Sequence, residues 1–267
     1  MKRIVKAVIA AVMALTMCLS LFGCVKPEGK PEDTKANETK AEIQSQADST
    51  NKASATDEAN SSSASSSNPS TPSKPAAPAE KSDLSTALFI GDSRTVGLKE
   101  YTDLKSDFFC DVGLSAKNSL KKTIPVEGVG KVTLDQLLAK KQYSRVYIML
   151  GINEIGGRME SIVNNYKDVI DFVKTKQPNA AVIIMANLHV TKARSDTDAS
   201  INNERINEFN NEVKKFADGK TVFYIDVNTV FDDKDHALKD DMTSDNVHLY
   251  AKYYKEWAAW IAAQPLQ

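Results

Sequence analysis

Short apolar runs alternate with stretches of helical periodicity along the C-terminal part of the chain. The runs are almost continuously hydrophobic, as strands are when both faces of a parallel sheet are covered. They are Ala87–Gly91, Asp107–Val112, Arg145–Leu150, Ala180–Asn187 and Thr221–Asp226. Three segments carry apolar residues three and four positions apart: Glu160–Lys176, Ala199–Phe216 and Tyr250–Ala263. The pattern predicts an α/β fold, with a doubly wound, mostly parallel five-stranded sheet in three layers.

The residues before this alternating region have a different composition. Between Phe22 and Phe89 there is no aromatic residue, and the stretch Val25–Ser82 holds 12 serines and six of the nine prolines. Such a segment cannot bury enough apolar surface to offset the entropy of ordering it. We therefore predict a disordered tether rich in Ser, Pro and Ala over residues 24–82 and one folded domain over residues 83–267.

The N-terminus has the pattern of a targeting segment. Basic residues precede an apolar run, Ala7–Phe22, that is shorter than a membrane span of about 20 residues. The run ends in Leu21-Phe22-Gly23-Cys24, which resembles the lipobox of bacterial lipoproteins. The resemblance implies a signal peptide over residues 1–23, a diacylglycerol group on Cys24 and an extracytoplasmic protein anchored to the bacterial membrane. An ordinary secretory signal and an uncleaved anchor are the alternatives. If the protein is a lipoprotein, Cys110 is the one free cysteine that remains, and we predict that it is a small core residue.

Charge and spacing argue against several other functions. The chain has 34 basic and 35 acidic residues, so its charge of −1 gives no reason to expect a nucleic acid partner. The segment Gly128–Val132 resembles part of a phosphate-binding loop but lacks its first glycine and its hydroxyl residue, which predicts a turn before a helix near Thr133. No metal site is expected, because the three histidines lack metal-ligand spacing: His189, His236 and His248.

Four turns follow predicted strands or precede the last helix, where ligands bind in sheets of this kind. Gly91-Asp92-Ser93 exposes a hydroxyl at a helix start, unless Asp92 or Ser93 is only a helix cap. Gly113 offers a backbone N–H without a side chain. The remaining two turns are Gly151-Ile152-Asn153-Glu154 and Asp245-Asn246-Val247-His248.

Together these turns contain the groups that acyl transfer needs. Ser93 is a candidate nucleophile, His248 its base, and Asp245 the group that orients the imidazole. The N–H groups of Ser93 and Gly113 and the amide of Asn153 are candidates for an oxyanion hole. This chemistry requires no cofactor.

The four turns resemble the motif blocks of SGNH hydrolases, the GDSL esterase/lipase superfamily. The blocks appear in family order as Gly91-Asp92-Ser93, Gly113, Gly151-x-Asn153 and Asp245-x-x-His248. The resemblance implies a flavodoxin-like SGNH hydrolase fold and the roles given above for Ser93, Gly113, Asn153, Asp245 and His248. One position departs from the family, whose third block usually ends in Asp where this chain has Glu154.

Together these features predict a surface-anchored serine esterase that acts on small acyl groups, O-acetyl above all, of extracellular or cell-wall glycans. The alternatives are a lysophospholipase or thioesterase, or a catalytically silent binding lipoprotein on the same scaffold. We expect a monomer. Arg94 and Arg158 follow active-edge turns, where each is a candidate for holding an anionic group of the substrate or is simply a solvated surface residue.

Overall fold

The computed structural model describes residues 83–265; the predicted signal peptide, Cys24 and the tether lie outside them. Within this range seven strands are present: β1 Ala87–Gly91, β2 Asp107–Cys110, β3 Ile124–Val126, β4 Gly130–Val132, β5 Arg145–Met149, β6 Ala181–Met185 and β7 Val222–Ile225. Five of them form one sheet in the order β2-β1-β5-β6-β7, and every neighbouring pair is parallel. The predicted α/β class and the five-stranded parallel sheet are confirmed.

Eight α-helices connect or follow the strands in the described part of the chain. They are α1 Ser93–Tyr101, α2 Ala116–Ser119, α3 Leu134–Lys140, α4 Met159–Lys176, α5 Lys192–Thr197, α6 Asn203–Lys214, α7 Asn228–Phe231 and α8 Ala251–Ala263. Two short 3₁₀ helices lie at Ile152–Glu154 and Asp240–Met242.

The sheet separates two hydrophobic layers because alternate strand residues point to opposite faces. Along β1, Leu88 and Ile90 belong to one layer, while Ala87 and Phe89 belong to the other. The first layer packs against α3, α4 and α6, and the second against α1 and α8. The arrangement gives the predicted three layers and leaves the carboxyl ends of the strands free to carry the site.

The structure differs from the sequence prediction at several element boundaries. The Gly128–Val132 stretch is the turn and second strand of the β3–β4 antiparallel hairpin, followed by α3. The predicted turn before a helix is therefore correct, but the hairpin was missed. The predicted helix Ala199–Phe216 begins only at Asn203, because the Asn202 side chain caps it by accepting from Arg205 N–H. The short helix α5 has no buried residue, so it left no hydrophobic periodicity to detect.

Cys110 lies in the core, as predicted. It is buried at the end of β2, and burial raises the pKa of its thiol to about 12. The thiol therefore stays protonated and behaves as a small apolar side chain. Among residues 83–265 no helix has the length and apolar character needed to cross a membrane.

Candidate active site

Ser93 stands at the junction between β1 and α1. Gly91 ends the strand, and a β-carbon there would come within 1.9 Å of Thr95 Oγ1 and 2.9 Å of the Met149 carbonyl oxygen. Only glycine therefore fits this tight turn. Asp92 caps α1 by accepting from Arg94 N–H at 3.0 Å, and Ser93 is the first helical residue. As the first residue of the helix, Ser93 has no hydrogen-bond acceptor for its N–H within α1 and makes no other backbone hydrogen bond through it within residues 83–265.

His248 reaches Ser93 from the loop before α8. Ser93 Oγ and His248 Nε2 are 2.8 Å apart, and His248 Nδ1 and Asp245 Oδ2 are 2.7 Å apart. Ser93 and His248 are 155 residues apart in sequence, and all three side chains are half-buried. The structure thus brings together the serine, imidazole and carboxylate that the sequence analysis singled out.

The loop around Asp245 holds the imidazole in a fixed direction. Asp245 Oδ1 accepts from the backbone N–H of Val247 at 3.0 Å and of His248 at 2.7 Å. Burial acts to raise the pKa of Asp245, but the hydrogen bonds from the His248 ring and backbone outweigh it and hold that pKa well below its usual range. Asp245 is consequently a carboxylate at any neutral or mildly acidic pH, ready to stabilise a charged imidazole.

A neighbouring segment fixes the same loop from behind. Asn246 has φ of 69°, a left-handed conformation that asparagine tolerates better than most residues. Thr191 donates its N–H to the Asn246 carbonyl at 3.1 Å and its hydroxyl to the Asn246 side chain at 2.9 Å. The segment after β6 therefore supports the turn that presents His248.

The other two turns stand beside Ser93 at the same edge of the sheet. Gly113 follows β2 with φ of 74°, and its environment is open, so its conformation rather than space requires glycine. Asn153 follows β5, is exposed, and donates one amide hydrogen to the Leu114 carbonyl at 3.1 Å. A carboxamide has two such hydrogens, which leaves the second available. An oxyanion-binding role for Ser93, Gly113 and Asn153 stays a prediction that this placement permits.

The sequence around these four turns matches a known protein family. The model of the GDSL-like lipase/acylhydrolase family matches residues 89–256, a range that includes all four turns. The chain belongs to the GDSL-like lipase/acylhydrolase family. It is accordingly a carboxylic ester hydrolase.

Solved structures of similar fold extend the comparison. A protein from Streptococcus pneumonia described as a platelet activating factor is 21% identical, with 64% of this chain and 78% of that chain covered and a TM-score of 0.50. A GDSL-like lipase from Parabacteroides merdae is 16% identical, with 70% and 98% covered and a TM-score of 0.50. Such identities show the fold alone. No curated protein sequence matches the chain.

Arg94 does not have the substrate-binding or solvent-exposed position that the sequence predicted for it. Its side chain is only 1% exposed and pairs with both carboxylate oxygens of Asp92, at 3.0 and 2.7 Å. It also donates to Asn187 Oδ1. The expectation of an exposed guanidinium, solvated or holding a substrate anion, is therefore wrong for Arg94. Because Arg94 is buried and pairs with Asp92, the residue directly before Ser93, it is part of the buried support of this turn.

Asn187 is a supporting residue that the sequence analysis missed. Its amide donates to the Leu150 carbonyl at 2.9 Å, while its carbonyl oxygen receives Arg94, so it joins the ends of β1, β5 and β6. Asn187 is the last residue of the predicted strand Ala180–Asn187, but β6 ends at Met185. A polar residue closing an otherwise apolar run at the carboxyl edge was the signal that could have identified it.

Arg158 follows the Gly151–Glu154 turn in sequence. It precedes α4 and is exposed, so binding of an anionic substrate group there stays a prediction. The loop between Asn153 and Arg158 is held by Arg205, whose guanidinium donates to the carbonyls of Ile155 and Gly157. Helix α6 thereby fixes the loop, a role for which the sequence offered no signal.

The described part of the chain holds no group of three His, Cys, Asp or Glu side chains placed to bind a metal ion. His189 is instead paired with Asp232 Oδ2 at 2.7 Å, on a different part of the sheet edge. His236 is exposed and has φ of 55°.

Proposed function

We propose that the protein is a membrane-anchored serine esterase that removes small acyl groups, O-acetyl above all, from extracellular or cell-wall glycans. One observation carries the proposal: Ser93 Oγ, His248 Nε2, His248 Nδ1 and Asp245 Oδ2 form a continuous series of contacts of 2.8 and 2.7 Å. A neutral imidazole in this position can take the serine proton as the hydroxyl attacks.

The first half of the proposed reaction forms an acyl-enzyme. Ser93 Oγ bonds to the ester carbonyl carbon while its proton passes to His248 Nε2. The carbonyl electron pair moves onto oxygen, and that oxyanion accepts hydrogen bonds from the N–H of Ser93, the N–H of Gly113 and the amide of Asn153. The carbon–oxygen bond to the alcohol then breaks, and His248 returns the proton to the departing oxygen.

The second half regenerates the enzyme. A water molecule gives a proton to His248 and bonds to the acyl carbon, and the tetrahedral oxyanion again forms in the same three-donor site. When the bond to Ser93 Oγ breaks, His248 gives the proton to that oxygen and the acid leaves. Asp245 stays a carboxylate throughout and stabilises the imidazolium.

The preference for small acyl groups is supported by how little apolar surface surrounds the turns. In the described part of the chain four large hydrophobic side chains are exposed: Tyr101, Val112, Val230 and Tyr250. Of these, only Val112 and Tyr250 belong to the turns that carry the site, next to Gly113 and after His248. A long acyl chain needs continuous apolar contact to be held out of water, and two isolated side chains give little.

The anchoring is supported by sequence alone. The lipobox-like Leu21-Phe22-Gly23-Cys24 and the Ser- and Pro-rich tether after it suit an enzyme held at a membrane that samples the surrounding wall.

A chain-length series tests the proposed substrate class. The full chain, assayed with p-nitrophenyl acetate, butyrate, octanoate and laurate and with acetylated glycans, should show kcat/KM for acetate at least about tenfold above that for octanoate. It should also release acetate from a glycan. Ser93→Ala, which removes the nucleophile and leaves the fold, is the control for background hydrolysis. A preference for octanoate or laurate favours the lysophospholipase alternative, and absence of any ester cleavage defeats the proposal.

A further inference from the structure

Glu154, where the chain departs from the family motif, connects the two turns that carry candidate oxyanion donors. It directly follows Asn153 in the 3₁₀ helix after β5. Its carboxylate accepts from the backbone N–H of Ala116 at 2.8 Å and of Lys117 at 3.3 Å. These residues begin α2, which follows the Gly113 turn. The glutamate therefore spans from the third motif block to the second.

A second contact crosses between the same turns. Asn153 donates to the carbonyl of Leu114, a fully buried residue directly after Gly113. Three hydrogen bonds thus hold residues 114–117 against residues 153–154, with Gly113 at the edge of the connected segment. Each oxygen of Glu154 accepts from the α2 backbone, and neither contacts an imidazole as Asp245 Oδ2 does, which argues for a structural role of this carboxylate.

We infer that Glu154 is a positioning residue, which sets the distance between the Gly113 N–H and the Asn153 amide so that both reach one substrate oxygen. The inference rests on the proposed serine mechanism. Donors in an oxyanion hole are effective only when they are fixed before the reaction, and a misplacement of about 1 Å can cost roughly 10²-fold in rate. Hydrogen bonds to an ionised carboxylate are short and strong, which suits a residue that must hold a loop.

The length of the side chain matters as much as its charge. Aspartate, usual at this place in the family, is shorter by one carbon–carbon bond of about 1.5 Å. From the present position of the 154 backbone an aspartate would lose its contact with Ala116 N–H unless one of the loops moved. In this chain the reach of glutamate and the placement of α2 therefore match each other.

Three substitutions separate reach from charge: Glu154→Gln, Glu154→Asp and Glu154→Ala. Glutamine keeps the reach and one acceptor oxygen, so kcat should fall by less than about fivefold. Alanine should lower kcat by about 10- to 100-fold, and aspartate should resemble alanine more than glutamine. KM should stay unchanged, because the donors act on the transition state. The rate of fluorophosphonate reaction with Ser93 should fall in parallel, since the phosphonyl oxygen takes the oxyanion position.

The control is Glu127→Ala, an exposed glutamate between β3 and β4, which should leave kcat unchanged. Thermal unfolding checks that each variant is folded, and the order of Gln and Asp decides the question if alanine does not fold. Full kcat in Glu154→Ala, a rise in KM alone, or wild-type kcat in Glu154→Asp overturns the inference. Ser93→Ala, measured alongside, separates the two proposals: if it is inactive while all Glu154 variants are fully active, only the positioning role is lost.

Discussion

Two histidine–aspartate pairs lie at the carboxyl edge of the same sheet, and their geometry is nearly identical. In both, a ring Nδ1 lies 2.7 Å from an aspartate Oδ2: His248 with Asp245, and His189 with Asp232. Their surroundings differ. The first pair is 26% and 33% exposed, and the second only 7% and 12%. A His–Asp contact by itself therefore does not identify a catalytic base.

The partner of the second ring nitrogen separates the two pairs. His248 Nε2 faces Ser93 Oγ, and a hydroxyl can donate, so this nitrogen can keep a free lone pair and act as a base. His189 Nε2 lies 2.9 Å from Asn207 Oδ1, an oxygen that only accepts. Since both ring nitrogens of His189 face oxygen acceptors, the doubly protonated imidazolium is the form that satisfies both contacts.

The electrostatics of the second pair agree with this assignment. Burial acts to lower the pKa of His189, but the hydrogen bond and charge of Asp232, with help from Asn207 and Asp226, outweigh it and raise that pKa above its ordinary value. An imidazole that is already protonated cannot accept a serine proton. These contacts favour a structural ion pair for His189 and Asp232, whereas the His248–Asp245 pair is the one that the proposed mechanism uses.

Removing each imidazole should give the largest contrast. His248→Ala should lower kcat by roughly 10⁶-fold, because a nucleophile and its base act as one unit. His189→Ala should leave kcat per folded molecule unchanged but lower stability by about 3–5 kcal/mol, the usual cost of breaking a buried pair by removing one partner. Steady-state kinetics and urea unfolding measure the two effects. A large loss of kcat in folded His189→Ala would contradict the separation.

Replacing each aspartate by asparagine should repeat the contrast on a smaller scale. Asp245→Asn should reduce kcat by about 10⁴-fold, since the amide disturbs the imidazole tautomer without moving the ring. Asp232→Asn should leave kcat unchanged and lower the urea midpoint. The matched substitutions have the same shape and charge change, so any difference in kcat comes from position. Equal kcat losses in the two variants would defeat the assignment.

Most of the candidate catalytic residues could be identified from the sequence because their signals are local. Gly91-Asp92-Ser93 and Asp245-x-x-His248 are short motifs at strand or helix ends, and the apolar runs place them at one edge. What connects them could not be predicted. Two of these connections join distant parts of the sequence. The contact of Arg94 with Asn187 spans 93 positions, and that of Thr191 with Asn246 spans 55. No local pattern shows that an arginine after the nucleophile turns inward.

The same limit explains the element boundaries. Three predicted strands are too long because apolar residues, Val112, Leu150 and Ala186 among them, continue past the paired residues. The strands themselves end at Cys110, Met149 and Met185. The middle of each strand is buried, and an apolar run in the sequence reveals it. The residue at which the strand ends depends on the turn that follows, and that turn depends on partners distant in sequence. The site lies in those turns, where the sequence was least informative about structure.

The pH dependence of stability gives the smallest and most specific test of the comparison. Because the pKa of His189 is raised in the folded protein, its protonation contributes stability that is fully present below the unfolded value of 6.5 and is lost as the pH rises through the folded value. The stability difference between the wild type and His189→Gln should therefore be larger at pH 5.5 than at pH 8.5, measured as urea midpoints. In an Asp232→Asn background the carboxylate that raises the pKa is absent, so the same difference should depend far less on pH. A difference that is equal at both pH values in the wild-type background would mean that folding does not shift the pKa of His189, and a difference larger at pH 8.5 would mean that folding lowers it. Either result would contradict a histidine that Asp232 holds in its charged form, and the two His–Asp pairs would then no longer be separated by charge.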